Sequence, residues 1–135
     1  MTRTLASACF IACLLLTGCA REEDYLQVMH EQQDAMKELA DVLETVRDGE
    51  SMAKAKVALQ QLKTKFAAIA QKANALPKPP PRKVLERMDE EKHITERRID
   101  RLRSEVGRIS KMPGGAELWN QFESDSPGLF PAGAP

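Results

Sequence analysis

Leu59, Leu62, Phe66, Ile69, Ala73 and Leu76 follow one another at steps of three, four, three, four and three residues. That spacing keeps all six on one face of an α-helix and matches helices that pack lengthwise along a shared apolar seam. The run stops at Pro77, which has no N–H to carry a helix forward. A lone amphipathic helix of this kind is marginal in water, so the flanking segments must supply the surfaces that cover it.

They do. Met29, Met36, Leu39, Leu43 and Val46, with Tyr25 or Leu26 one turn earlier, predict a first helix over Glu22 to Arg47. Glu22, Glu23 and Asp24 lie in its first turn, where carboxylates interact favourably with the helix dipole. Asp48-Gly49 reads as the break: Gly49 suits a left-handed C-terminal cap, and Asp48 or Ser51 can cap the next helix. So short a connection predicts an antiparallel hairpin. Beyond the stiff corner Leu76 to Pro81, the series Leu85, Met88, Lys92, Thr95, Ile99, Leu102, Val106, Ile109 predicts one long third helix from about Pro81 to Lys111. Pro113-Gly114-Gly115 interrupts it, and a short turn from Ala116 to Phe122 carries Leu118, Trp119 and Phe122.

The expected fold is therefore all-α: an antiparallel helical hairpin plus a long third helix, coiled-coil-like, closed as an up-down-up three-helix bundle. Residues 22–123 form this unit with its short terminal helix, and 124–135 are expected to be a disordered tail. Charge agrees with the hairpin. Between Glu22 and Glu50 there are ten acids and two bases, whereas Ser51 to Lys78 holds six lysines and no acid. In the expected bundle Gln32 and Lys92 fall at one level. They either form a polar layer that sets register, or Lys92 snorkels outward.

The N-terminus carries a different message. Arg3 gives a positive start, Leu5 to Leu16 an apolar stretch, and Leu16-Thr17-Gly18-Cys19 small residues before a cysteine. The apolar stretch is shorter than the roughly 20 residues that span a membrane. The segment resembles bacterial lipoprotein signal peptides. That resemblance implies that residues 1–18 are removed after Gly18 and that Cys19 carries diacylglycerol. It further implies that Cys19 becomes the new N-terminus, N-acylated with a fatty acid such as palmitate. Residues 19–21 are then the lipidated anchor. Ala20, where Asp is the familiar inner-membrane retention signal, favours the periplasmic face of the outer membrane. Cys9 and Cys13 leave with the signal and Cys19 is consumed, so no thiol remains for a disulfide or a thiolate site.

Chemistry is harder to find. Glu90-x-x-His93 occurs once, where di-iron bundles need the pair twice with two further carboxylates. Gln27 stands where a second copy would need Glu before His30, so both histidines read as solvated surface groups. The hairpin also resembles the first two helices of the b-type four-helix-bundle cytochromes, with Met36 at the position of the axial methionine. That family's axial histidine comes from a fourth helix, and Met36 reads better as core. The basic run Arg97, Arg98, Arg101, Arg103, Arg108 can touch anionic headgroups, but Glu96, Asp100 and Glu105 interleave with it and favour a solvated face. Trp119, with Leu118 and Phe122, either plugs the membrane-distal end or forms a docking knob.

Net charge is zero, and exported proteins have no nucleic-acid partner to meet. Residues 19–122 also resemble the small helical exported proteins of planctomycete-type bacteria, a resemblance that implies a fold and no mechanism. The expectation is a lipid-anchored, non-enzymatic envelope protein that is structural or accessory. It would act through an envelope partner or through self-association, with Tyr25, Trp119 and Phe122 as contact residues. No cofactor and no metal is expected. The alternative is a bundle that carries haem or a lipid.

Overall fold

The computed structural model describes residues 20–125. They form five helices: α1 Glu22–Glu44, α2 Gly49–Ala75, α3 Arg82–Glu90, α4 Lys92–Ile109 and α5 Gly115–Ser124. None of them is long and apolar enough to cross a membrane.

Local chemistry sets the ends. Asp48 caps α2 by accepting from the Ser51 N–H at 2.8 Å, while the Ser51 hydroxyl accepts from the Asp48 N–H at 2.9 Å. Gly49 is the first residue of α2 and not a left-handed cap; among the described residues the positive-φ glycine is Gly114, at 79°. The carboxyl end of α1 has no basic residue in its own last turn. Arg108 of α4 supplies the charge instead, donating to the carbonyls of Leu43 at 2.7 Å and Val46 at 2.8 Å. A cation at this end of a helix satisfies orphan carbonyls and complements the dipole together.

The expected long third helix is two helices. Glu91 (φ −93°, ψ 0°) interrupts it between α3 and α4. Below that break the buried position is Val84, with no exposed surface, while Leu85 and Met88 are 49% and 40% exposed. Above it the predicted seam holds: Leu102, Val106 and Ile109 are buried.

Packing follows from the charges and the seams. Lys65–Glu38 and Lys72–Glu31 ion pairs join α2 to α1 and confirm that the two run antiparallel. On the opposite flank Arg98 pairs with Asp34 and, further along both helices, Arg101 bridges Asp41 and Glu44, so α4 runs parallel to α1. Helix α1 packs on both α2 and α4, and α5 also packs on both, whereas α2 and α4 make no backbone approach to each other. The third helix therefore closes on the hairpin through α1, with α5 standing between it and α2. The upper half of the molecule has four corners, with α5 diagonal to α1.

This explains burial on two sides of α1. Ala35 and Ala40 join Met36, Leu39 and Leu43 inside, and their small side chains admit a helix on each flank. The core continues through Ala55, Leu59, Leu62, Phe66 and Ile69 of α2 and Leu118, Trp119 and Phe122 of α5. Trp119 and Phe122 thus form the fourth wall, not an end plug.

Gly115 is the tightest point. A Cβ there would overlap the Ile109 carbonyl oxygen, whereas one at Gly107 meets nothing. Gly115→Ala is expected to cost about 2–3 kcal/mol, the scale of overpacking in a close-packed site. Gly107→Ala, in an open helical position, should stabilise by about 0.5–1 kcal/mol. Thermal unfolding followed by circular dichroism gives both signs.

Candidate functional site

Helix α5 is short, with 10 residues against 27 in α2, and it accompanies only the upper part of α2. Its end is marked by Asp125, paired with Lys63 at 3.0 Å. Below that level burial falls away on the two sides that flank α5, while α1 keeps Met36 and Tyr25 buried and α3 keeps Val84. On α2, Ile69 is buried but Ala73 and Leu76 are only half-buried. On the third side, Ile99 and Thr95 are half-buried, and Leu85 and Met88 are exposed.

The result is an open groove. Its first part, about 360 Å³, is lined by Met29, Gln32, Met36, Leu85, Met88 and Thr95 among others. Its second part, about 180 Å³, continues past Met29, Gln32 and Met88 to Tyr25, Leu76 and Pro80. Met29 and Met88 are common to both, so methionine forms much of the shared floor. Unbranched, polarizable methionine side chains suit surfaces that adapt to apolar partners.

Polar groups share the lining: Gln32, Gln33, Asp89, Lys92 and Thr95 stand beside the apolar residues of the first part. Gln33, 5% exposed, is the buried polar residue of the described core, and its amide donates to Thr95 Oγ1 at 3.2 Å. Of the two expectations for Lys92 the outward one holds, and the buried polar contact is Gln33 to Thr95, which involves neither Gln32 nor Lys92. Gln32 is exposed on the groove, and Lys92 is solvated and near Glu96 at 3.8 Å.

Tyr25 is buried, and its hydroxyl donates to the Pro77 carbonyl at 2.7 Å. It fastens the start of α1 to the proline corner and walls the far end of the groove. Trp119 and Phe122 are each 5% exposed, so neither projects as a surface knob. Cys19 and Gly18 lie outside the described residues, as does the tail beyond Asp125. Ser124, the first residue of the expected disordered tail, is instead the last residue of α5.

The histidines do not come together. His30 contacts Glu91 at 2.9 Å, and His93 Nδ1 donates to the Glu90 carbonyl at 3.0 Å. No group of three or more His, Cys, Asp or Glu side chains among the described residues is arranged to hold a metal ion. Met36 is core, 6% exposed, at the upper edge of the groove. Helix α5 stands at the fourth corner but contains no histidine, so the axial pair of the cytochrome pattern is not completed by it. The basic run is largely absorbed by ion pairs: Arg98 with Asp34, Arg103 with Asp100 and Arg108 with Glu105.

No local motif announces the groove. Two traces of it exist in the chain: adjacent apolar residues Val84-Leu85, only one of which can face inward, and a fourth apolar segment much shorter than the other three.

Electrostatics tie the scaffold to pH. The Lys72 ammonium, with help from the Gln27 amide, holds the Glu31 carboxyl below its ordinary range. The Ser51 N–H and hydroxyl do the same for Asp48. Both folded values are depressed, so both contributions are complete above the unfolded carboxylate pKa of about 4 and are lost as pH falls through the lower folded values. Melting temperature should therefore be level from neutral pH to about 5 and fall below about 4. Glu31→Gln should blunt that fall, as read by melts across the pH series.

Comparison with protein-family models, with characterised protein sequences and with solved structures finds no match for this chain.

Proposed function

We propose that this chain is a lipid-anchored cell-envelope protein that works by contact with another protein, without catalysis. The observation that carries the reading is the open, methionine-floored groove on an otherwise well-packed helical scaffold. Clustered exposed apolar surface of this kind is the usual mark of an interaction site.

The anchor adds to it. The lipobox-like Leu16-Thr17-Gly18-Cys19 stands just before the described chain, and α1 starts at Glu22. A lipid on Cys19 would be joined to a rigid helix through two residues, with the Tyr25 end of the groove one turn away. Such tethering confines the groove to the membrane surface and raises its effective concentration for a membrane-bound partner. Ala20 favours the outer membrane as that surface. The scaffold is, in this reading, the hairpin plus third helix of a three-helix bundle, with α5 as a short fourth member.

A second reading is a carrier of haem or of a lipid. It draws on the volume of about 360 Å³, which falls in the range of small-ligand pockets.

Fractionation and in-cell cross-linking test the proposal together. Wild-type protein should sit in the membrane fraction, and Cys19→Ala should be released from it or left unprocessed. Cross-linking of the anchored protein should capture one dominant envelope protein, and Leu85→Asp should reduce that capture at least fivefold. A Cys19→Ala variant that is processed normally and still membrane-bound contradicts the anchor. Co-purifying haem or lipid, with no protein captured, moves the assignment to the carrier.

A further inference from the structure

We propose that the concavity between α1 and α4, lined by Lys37, Arg97, Arg98 and Arg101, binds a phosphate-bearing ligand, a phosphomonoester or a diphosphate. Its volume is about 250 Å³, and Ala40 and Ile94 complete its lining. Four cations and no carboxylate line it. It shares no lining residue with the methionine-floored groove.

Helical spacing makes the cluster. Ile94, Arg97, Arg98 and Arg101 follow at steps of three, one and three residues, which puts them on one face of α4. Lys37 and Ala40 lie one turn apart on α1 and meet that face, because the Asp34–Arg98 and Asp41–Arg101 pairs set α1 and α4 side by side. Ala40 is 1% exposed. Its single methyl leaves open a floor that a longer side chain would fill.

These cations are unequally committed. Arg101 is held by Asp41 at 2.7 Å and by Glu44. Arg97 makes no hydrogen bond or ion pair among the described residues. Lys37 has only Asp41, 4.0 Å away and shared with Arg101. Arg98 lies 3.9 Å from Asp34, and its Nε is buried without a hydrogen-bond partner. Both of those distances exceed a hydrogen bond, and Asp34 is itself 73% exposed. Elsewhere Arg82 and Arg108 hold carboxylates at 2.9 and 2.8 Å, so the deficit is local. A partly desolvated guanidinium without acceptors is unfavourable. An oxyanion in the concavity supplies the acceptors that the fold leaves out.

The donors define the ligand. Guanidinium forks match pairs of phosphate oxygens, and the lysine ammonium adds a point charge. Two forks and an ammonium, converging from two helices, call for an anion with more than one charge and with oxygens on several sides. A phosphomonoester or diphosphate has both, and a lone carboxylate has neither. Soluble organic phosphates and phosphorylated lipid headgroups share this chemistry. The site needs neither the lipid anchor nor the groove, so it stands apart from the function proposed above.

The test follows the arginine Nε–Hε resonances of the ¹⁵N-labelled full chain by NMR, in phosphatidylcholine bicelles at slightly acid pH and fixed ionic strength. Sodium pyrophosphate should shift the Arg97, Arg98 and Arg101 resonances saturably and leave that of Arg82 in place. Joint replacement Arg97→Gln and Arg98→Gln should raise the half-saturation concentration at least tenfold, as followed at Arg101. Arg82→Gln, on α3, should change it less than twofold. Bicelles doped with phosphatidic acid, without pyrophosphate, separate the two sources. A shift of the same resonances there assigns the ligand to a headgroup, and a response to pyrophosphate alone assigns it to a soluble phosphate; either supports the site. No saturable shift from either probe, or a shift spread evenly over all arginines, would overturn it. So would an unchanged half-saturation in the double variant, shown by circular dichroism to be folded.

Discussion

Trp119 and Phe122 enter the core from α5, Phe122 meeting Phe66 of α2 and Trp119 packing on Phe122, and the width they occupy is felt along the whole molecule. The Phe66 and Phe122 rings meet edge-on at 6.4 Å, and those of Trp119 and Phe122 lie 5.7 Å apart. Large aromatic side chains bury more area than any aliphatic one, and offset or edge-on contacts add to it. With α5 packed on both α2 and α4, those two helices stand apart on either side of it. Alanines 35 and 40 on α1 keep the opposite wall close.

Two contacts from the neighbouring segment stabilise that arrangement. Gly115 lets the chain turn hard against the end of α4, and Arg108 binds the last carbonyls of α1. The upper half is thus closed on four sides. Where α5 stops, at the Lys63–Asp125 pair, the same spacing leaves α1, α2 and α3 with an apolar floor that none of them covers. The firmness of one end and the openness of the other have a single cause, the short length of α5 relative to α2. That asymmetry also matters for the proposed role, because the open end is the end nearer to residue 20.

Much of this was legible in the residues themselves. The three-four spacing in α2 holds through Ile69 and loosens only at Ala73 and Leu76, beside the groove. Opposed charges on α1 and α2 meet as Lys65–Glu38 and Lys72–Glu31, and Asp48 with Ser51 caps α2. The misreadings share one origin, the assumption that a heptad implies an unbroken helix facing one partner. Glu91 breaks the third helix with neither glycine nor proline to signal it, so the inward position below the break is Val84 and not Leu85. Helix α1 faces two partners, which moves the buried glutamine from Gln32 to Gln33. The groove itself is a matter of relative helix length and corner position. Periodicity within one segment carries no information about either, so Met29 and Met88 looked like ordinary seam residues.

The most direct test uses the fact that Trp119 is the sole tryptophan of the chain. Its steady-state fluorescence, with acrylamide as quencher, reports whether α5 is inserted as the fourth wall. The account predicts blue-shifted emission and strong protection from quenching in the native protein, both lost together on unfolding in urea. Native emission at the wavelength of free indole in water, with unhindered quenching, would contradict it. The groove below α5 would then lose its structural explanation.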